Sequence, residues 1–266
     1  MRRSRFICIM LALVLAFSLA GCGDQSNEGN SGDVLNNIKK KNKLVIGLEG
    51  NWAPWSFHND KELVGMDVEI GKRVAEKLGV EVDIKEDKWE NLLKGINAGA
   101  YDMVINGVGI TEEREDKYTF SEPYAFSHTV VITRGDSGIR TMYDLKDRVI
   151  ANTEGSIYSS KAKKYGAKVI KVDDFDQAVE KVLTGGADAC MNEDASYYQY
   201  MSENQGKDLI ISVKDPENVR IGIAMPKGVA SQSLKSQVDD ILEEMRDNGE
   251  LKTMSKKYFG ADITTE

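Results

Sequence analysis

The segment Asn106–Arg114, with the sequence NGVGITEER, combines residues that together could bind an anion. Gly107 and Gly109 carry no side chains that would cover the backbone N–H groups, and Thr111 is a typical helix N-cap residue. Exposed N–H groups at the start of a helix bind anions. The planar guanidinium of Arg114 holds a carboxylate through two hydrogen bonds. The alternative is an ordinary helix start in which Arg114 pairs with a neighbouring acid, and the segment alone leaves both open.

Apolar runs alternate with helical patterns around this segment, and these elements must position it. Lys43–Leu48 (KLVIGL) is typical of a buried strand, and in residues 65–78 an apolar residue recurs every four positions, which predicts a helix. Strands separated by helices of this length indicate right-handed βαβ units on mainly parallel sheets. The pattern predicts further strands at 80–84, 102–105, 149–151, 168–172 and 187–191, and helices at 90–98, 156–165 and 175–183.

Two of these units have similar sequences. Residues 99–106 (GAYDMVIN) and 185–192 (GGADACMN) both place a small pair before an Asp, three apolar residues and an Asn. Asn106 and Asn192 are therefore predicted to end strands at the carboxyl edges of two sheets, where open α/β sheets bind ligands. The segments after these two residues would then face each other across a crevice.

The predicted fold is α/β with two lobes: two mainly parallel sheets, flanked by helices and joined by a two-strand hinge. The β-rich runs 127–134 and 219–225 would form the hinge. Lobe 1 is assigned to residues 36–126 plus 220–266, where helices at 232–245 and 250–258 return to it. Lobe 2 is assigned to residues 127–219.

The first 22 residues have a different composition from the rest of the chain. Arg2, Arg3 and Arg5 precede the apolar run 6–20, which is shorter than the roughly 20 residues of a membrane-spanning helix. This pattern is typical of a secretory signal, and an uncleaved anchor helix is the alternative. The polar residues after the signal predict a flexible tether over 23–35.

Charge and cysteine content exclude several functions. The formal net charge of −8 argues against a nucleic-acid-binding protein, because such proteins need a basic surface. Cys190 lies in an apolar run and is predicted to be a buried thiol without a disulfide partner. No spacing of His and Cys indicates a metal site, and no motif indicates a cofactor or a catalytic residue.

Two resemblances add to this interpretation. Leu19–Cys22 (LAGC) resembles the lipobox of bacterial lipoproteins, which implies lipidation of Cys22. Thr111–Tyr124 (TEERxxxYTFSEPY), Gly65–Ile70 (GMDVEI) and Gly47–Phe57 (GLEGNWAPWSF) resemble motifs of the polar amino-acid substrate-binding proteins of ABC importers, the family 3 extracellular solute-binding proteins. Lys88-Trp89, Lys164–Ala167 (KYGA) and the acid Glu49 are most similar to the cystine-binding subgroup.

The family resemblance implies a role for particular residues. Arg114 and the N–H of Gly109 would bind the ligand's α-carboxylate, with Ser156 as a second donor. The C=O of Gly107 and the carboxylate of Glu193 would bind its ammonium group. The family more often has Asp at the position of Glu193, and Asp194 is the alternative. The remaining ligand-binding residues would be the aromatic walls Trp52 and Trp89, and the acid Glu49.

The predicted function is capture of a polar amino acid, with cystine favoured, by closure of the two lobes. The protein would deliver this ligand to an ABC permease, and indirectly to its ATPase. It would be a monomer held by a lipid anchor on the outer face of the cytoplasmic membrane, or in the periplasm. The alternatives are a cleft enzyme of dehydratase or lyase type on the same fold, and a sensory amino-acid-binding lipoprotein.

Overall fold

The structure is a computed structural model, and it describes residues 32–266. The predicted signal sequence, Cys22 and most of the predicted tether lie outside the described residues. Helix α1 (Val34–Lys41) begins after Asp33, whose carboxylate accepts a hydrogen bond from the N–H of Asn36. Val34 and Leu35, the last two residues assigned to the tether, are therefore helical.

Two five-stranded sheets form the framework of residues 33–266. The first contains β1 (Lys43–Leu48), β5 (Glu81–Glu86), β6 (Met103–Val104), β7 (Tyr118–Phe120) and β13 (Ala224–Pro226), in the order β5-β1-β6-β13-β7. The second contains β8 (Ala125–Thr133), β9 (Val149–Thr153), β10 (Lys168–Val172), β11 (Ala189–Glu193) and β12 (Ile210–Ile221), in the order β10-β9-β11-β8-β12. A three-stranded sheet of β2 (Asn51–Trp52), β3 (Ser56–Asn59) and β4 (Glu62–Val64) adjoins the first.

The two large sheets have the same strand directions. In each, the first three strands in spatial order pair in parallel, and the fourth is antiparallel to both of its neighbours. All strands of a sheet except the fourth therefore run in one direction. The prediction of two mainly parallel sheets is confirmed.

Helices cover both sheets and define two lobes. Lobe 1 is the first sheet with α1, α2 (Met66–Leu78), α3 (Trp89–Asn97), α4 (Glu112–Glu115), α8 (Gln232–Asp247) and α9 (Glu250–Phe259). Lobe 2 is the second sheet with α5 (Ile157–Lys164), α6 (Phe175–Leu183) and α7 (Asp194–Glu203).

The central strands of lobe 2 have continuous apolar sequences, without alternating polar residues, because both of their faces are buried. Neighbouring residues Ile150 and Ala151 of β9 belong to two different apolar clusters, one on each face of the sheet. Cys190 and Met191 of β11 divide in the same way, and all four side chains are fully buried. A sheet with helices on both faces buries every residue of its central strands. The buried thiol predicted at Cys190 therefore belongs to the core, and burial raises its pKa.

The chain crosses between the lobes twice, between β7 and β8 and again between β12 and β13. The two crossing segments are hydrogen-bonded to each other: the N–H of Tyr124 donates to the carbonyl of Ile221 at 2.9 Å, and that of Ser121 to Ile223 at 3.0 Å. The predicted hinge run 219–225 is thus two strands that belong to different sheets. The other predicted hinge run, 127–134, was wrong: residues 127–133 lie within β8 of lobe 2, and residues 121–124 make the crossing. No helix among residues 32–266 is both long enough and apolar enough to cross a membrane.

Candidate functional site

A cavity lies between the two lobes, beside the carboxyl ends of the parallel strands. Its position is explained by the topology, because loops after parallel strands meet at one edge of each sheet. Lobe 1 contributes Glu49, Asn51, Trp52, Trp89, Gly107, Gly109 and Arg114. Lobe 2 contributes Asn152, Thr153, Ser156, Ile157, Tyr158, Asp174, Phe175 and Asn192. Of the eight ligand-binding residues expected from the sequence, only Glu193 is absent from this wall.

Arg114 lies on the cavity wall, in the short helix α4, and only 9% of it is exposed. Its Nη1 donates to the carbonyl of Gly109 at 2.8 Å in lobe 1, and its Nη2 to the carbonyl of Gly155 at 3.2 Å in lobe 2. Burial lowers the pKa of its guanidinium to about 10. The neighbouring Glu113 pairs instead with Lys117 at 2.8 Å. Thr111 caps this helix as expected, but within residues 32–266 no carboxylate lies within the 4.0 Å of an ion pair with Arg114, so the alternative pairing with a neighbouring acid is not observed.

The two glycines of this segment are held tightly between other groups. The N–H of Gly107 donates to Asp67 at 2.6 Å, and its φ of 52° favours glycine. A Cβ on Gly107 would lie 2.8 Å from the ring of Trp52. A Cβ on Gly109 would lie 3.0 Å from the side chain of Ile157 in the opposite lobe. The absence of side chains therefore keeps the backbone close to both the cavity and the opposing lobe.

Trp52 and Trp89, the predicted aromatic walls, line the cavity and also contact polar groups. The guanidinium carbon of Arg114 lies 5.0 Å from the ring centroid of Trp89, a cation–π contact. The indole Nε1 of Trp52 donates to the hydroxyl of Ser196 in lobe 2 at 3.0 Å. Trp52 is thus an interlobe contact as well as a wall residue.

Helix α5 directs its amino terminus at the cavity. Ser156 is the N-cap, and its Oγ accepts a hydrogen bond from the N–H of Ser159 at 3.0 Å and donates to the carbonyl of Thr153 at 2.8 Å. The hydroxyl proton of Ser156 is therefore already used within its own loop. The positive end of the helix, together with Arg114, makes this end of the cavity suited to an anion.

The opposite end of the cavity is acidic. Glu49 comes directly after β1, and its Oε2 accepts a hydrogen bond from the amide of Asn106 at 2.8 Å. Burial, with a smaller contribution from the negative charge of Asp174 in lobe 2, raises the pKa of Glu49 to about 7. Glu49, Asn51 and Asp174 also line an adjoining cavity, together with Glu86, Asp87, Lys88, Asp173 and Gln177. A ligand held by Arg114 would therefore meet two carboxylates at its far end.

Glu193 ends β11 behind the cavity wall and is fully buried. Its Oε1 accepts a hydrogen bond from the hydroxyl of Tyr158 at 2.7 Å, and its Oε2 from the indole Nε1 of Trp55 at 2.9 Å. Burial raises the pKa of Glu193 to about 8. The alternative acid, Asp194, pairs with Lys214 at 2.7 Å and does not line the cavity either.

Several wall residues were not expected from the sequence. Asp174 and Phe175 come after β10, and Asn51 comes after β1, so the strand-end rule that pointed to Asn106 also applied to them. Tyr158 and Ile157 come from the first turn of α5, and no local signal distinguishes them from core residues. Within the described residues no group of three or more His, Cys, Asp or Glu side chains could hold a metal ion.

The sequence model of the bacterial extracellular solute-binding proteins, family 3, matches residues 44–261. The chain belongs to this family. Its members act outside the cytoplasmic membrane. The L-cystine-binding protein TcyA of Bacillus subtilis is 34% identical over 271 residues, which covers 99% of this chain and 100% of the relative. The family and this relative are defined by binding, so the expectation of a binding protein rather than an enzyme is confirmed.

Two solved structures of the same fold differ in how well they superpose. A mutant of ArgBP from T. maritima matches with a TM-score of 0.79 at 30% identity, over 85% of this chain and 99% of that one. The L-cystine solute receptor of Neisseria gonorrhoeae, in its unliganded open conformation, matches with a TM-score of 0.59 at 33% identity, over 88% and 100%. Sequence identity does not explain the lower score of the open receptor. In the present structure, hydrogen bonds join the two lobes across the cavity, so its lobes are closed.

Proposed function

We propose that this family 3 protein is the substrate-binding protein of an ABC importer for a polar amino acid, with cystine as the favoured ligand. The observation that carries the proposal is Arg114: a buried guanidinium on the cavity wall whose described hydrogen bonds go to two carbonyl groups. A guanidinium has five N–H donors, so others remain for a ligand carboxylate. A charge-assisted hydrogen bond contributes about 1.5–3 kcal/mol.

The ammonium group of the ligand would contact the carbonyl of Gly107 and an acid. The family resemblance predicts Glu193 as that acid, but its carboxyl group is fully buried behind the wall and both of its oxygens already accept hydrogen bonds, so we do not include it in the proposed ammonium site. Glu49 and Asp174 at the acidic end suit a second positive group. Cystine and arginine both carry one. The similarity to the L-cystine-binding protein TcyA, at 34% identity over the full length of both chains, favours cystine.

Binding would stabilise the closed arrangement, because the ligand contacts both lobes only when they are closed. Both lobes contribute to the cavity wall, with Arg114 and Trp89 on one side and Ser156 and Phe175 on the other. A permease would then distinguish the closed, loaded protein from the open one. We infer a monomer as the working form.

A thermal-shift screen tests the ligand. The compact unit 33–266, which holds both lobes and their cores, would be heated with each common amino acid and with cystine. A ligand present at 100 times its Kd stabilises the folded state by about 2.7 kcal/mol, so a tight binder raises the melting temperature. We expect cystine to give the largest rise. A screen in which no amino acid changes the melting temperature contradicts the proposal, and a largest rise with arginine would correct the ligand alone.

We also propose that Cys22 is lipidated after removal of the signal sequence and that it anchors the protein to the outer face of the membrane. The support is the LAGC sequence at the end of the apolar run. Expression with labelled palmitate should label the wild type and leave Cys22→Ser unlabelled. Equal labelling of both proteins would remove the anchor from the proposal.

A further inference from the structure

One buried contact between the lobes involves an acid that the cavity does not expose. Glu193 has an exposure of 0%, and so does Trp55. The carboxylate of Glu193 receives one hydrogen bond on each oxygen, from Tyr158 at 2.7 Å and from Trp55 at 2.9 Å. Both oxygens therefore accept a hydrogen bond from a buried aromatic side chain.

The two donors come from different lobes. Tyr158 lies in α5 of lobe 2, as Glu193 does in β11, so their hydrogen bond lies within one lobe. Trp55 belongs to the apolar core of lobe 1, where its ring packs edge-to-face on Phe259 at 4.8 Å between centroids. The Trp55–Glu193 hydrogen bond therefore joins the lobes and is lost when they separate.

A second indole makes a similar hydrogen bond between the lobes. The indole of Trp52 donates a hydrogen bond at 3.0 Å to Ser196, which lies three residues after Glu193 in the chain. Both donors lie in the segment 52–55 of lobe 1, from the end of β2 to the start of β3, and both acceptors lie at the junction of β11 and α7 in lobe 2. The junction is thus an interlobe surface that is matched to two fixed indole N–H groups.

The residue types at both ends of the contact are specific. Phe and Tyr have no N–H on the ring, so only Trp provides this donor from an apolar core. Tyr158 holds one oxygen of Glu193 and fixes the carboxylate, and the length of the Glu side chain brings the other oxygen to Trp55. An Asp side chain is one methylene shorter and would not bring its oxygen as close to Trp55.

We propose that Glu193 and Trp55 form a closing contact between the lobes, in which Glu193 is a positioning residue that stabilises the closed arrangement and does not bind the ligand's ammonium group. This inference uses the lobe closure of the proposed function but does not depend on the ligand's identity. The contact would favour closure even before a ligand binds.

Distances between the two lobes, measured in the ligand-free protein, test the proposal. Nitroxide labels on Lys61→Cys in lobe 1 and Gln205→Cys in lobe 2, both exposed positions, would report the separation by pulsed EPR in the unit 33–266. Cys190 is fully buried and stays unlabelled. Trp55→Phe keeps an aromatic ring and removes the N–H donor, and Glu193→Asp keeps the carboxyl group and shortens its reach.

We expect a short-distance population in the wild type that falls about fivefold in each variant, and no further fall in the double variant, because both changes remove one contact. Tyr258→Phe is the matched control. It removes a hydroxyl donor to the carboxylate of Glu69 within lobe 1, at 2.6 Å, and should leave the distances unchanged.

Three outcomes would overturn the closing contact: a wild type without the short-distance population, distances unchanged in both single variants, or additive effects in the double variant. Calorimetry with cystine gives a second readout. We expect Trp55→Phe and Glu193→Asp to weaken binding by similar factors of about five. If Glu193 instead bound the ammonium, Glu193→Asp would retain affinity and Trp55→Phe would have little effect. If the wild type bound no amino acid, the proposed function would fail while the distances still decided this inference.

Discussion

The two lobes share a framework of strands and differ in the residues at the carboxyl ends of those strands. In lobe 1 the carboxylate of Asp102 accepts a hydrogen bond from the N–H of Val45 at 2.9 Å, and the N–H of Asp102 donates to the carbonyl of Val45 at 2.9 Å. In lobe 2 Asp188 and Val149 make the same pair of hydrogen bonds, both at 2.8 Å. The repeated Asp in each unit thus joins the start of the third strand of its sheet, in spatial order, to the second strand.

The difference begins after the Asn that ends each similar segment. Lobe 1 continues with Gly107, Gly109 and the buried cation Arg114, whereas lobe 2 continues directly with the buried acid Glu193. One βαβ plan therefore supports a basic side chain on one edge and an acidic side chain on the facing edge. Residues that hold the strands together are repeated, and residues beside the cleft have diverged.

Removing the cation should have the largest effect. We expect Arg114→Ala to weaken binding of the amino acid at least about 100-fold, because each lost charge-assisted hydrogen bond contributes about 1.5–3 kcal/mol. Titration calorimetry measures the affinity. Lys117→Ala, which removes an exposed charge from the same segment, is the control and should bind normally. Equal affinities of Arg114→Ala and the wild type would remove the carboxylate from this end of the cavity.

The acid of lobe 2 should make stability depend on pH. Burial raises the pKa of Glu193 to about 8 from 4.5. The folded state then binds the proton more tightly than the unfolded state, so this contribution to stability is full below about pH 4.5 and is lost as pH rises through about 8. We expect the melting temperature of Glu193→Gln to fall less than that of the wild type between pH 5 and about 8.5.

Glu49 and Asp67, whose pKa values are both raised to about 7 by burial, contribute in the same direction in both proteins. The comparison of wild type with Glu193→Gln isolates one carboxyl group. Parallel melting curves across this pH range would contradict the raised pKa.

The repeated framework should respond equally in both lobes. We expect Asp102→Ala and Asp188→Ala each to lower the free energy of unfolding by about 1–2 kcal/mol, because each leaves one backbone N–H without its carboxylate partner. Urea denaturation measures the effect. A loss confined to one of the two variants would show that the similar sequences do not have equivalent roles.

The smallest effect is expected at the exposed edge of the cleft. Lys88 of lobe 1 pairs with Asp173 of lobe 2 at 2.9 Å, and Lys171 of lobe 2 pairs with Glu90 of lobe 1. Exposed ion pairs contribute little and are screened by salt. We expect Lys88→Ala to change ligand affinity by about twofold or less at low ionic strength, with the difference lost in high salt. A larger, salt-independent change would mean that Lys88 contacts the ligand.

The sequence predicted the regular elements well where the hydrophobic period was clear. β1, β10 and α6 have the predicted bounds, and α2 differs by one residue. The sequence pattern did not predict α1, α7 or the small sheet of β2, β3 and β4. Helix α7 has an irregular mixture of tyrosines and polar residues, and only the side chain of Ser196 in it is buried. Without an apolar stripe there was no period to detect.

The sequence by itself determined the framework and the residue types at the basic end of the cavity. Local periodicity sets the succession of strands and helices within each unit, and Arg114, Gly107 and Gly109 belong to one short segment. The tertiary structure decided the rest. The direction of Glu193 depends on Trp55, which is 138 residues away along the chain, and the proximity of Glu49 to Asp174 requires both lobes. Contacts between residues so far apart arise only when the sheets pack and close, and no local pattern of residue types encodes them.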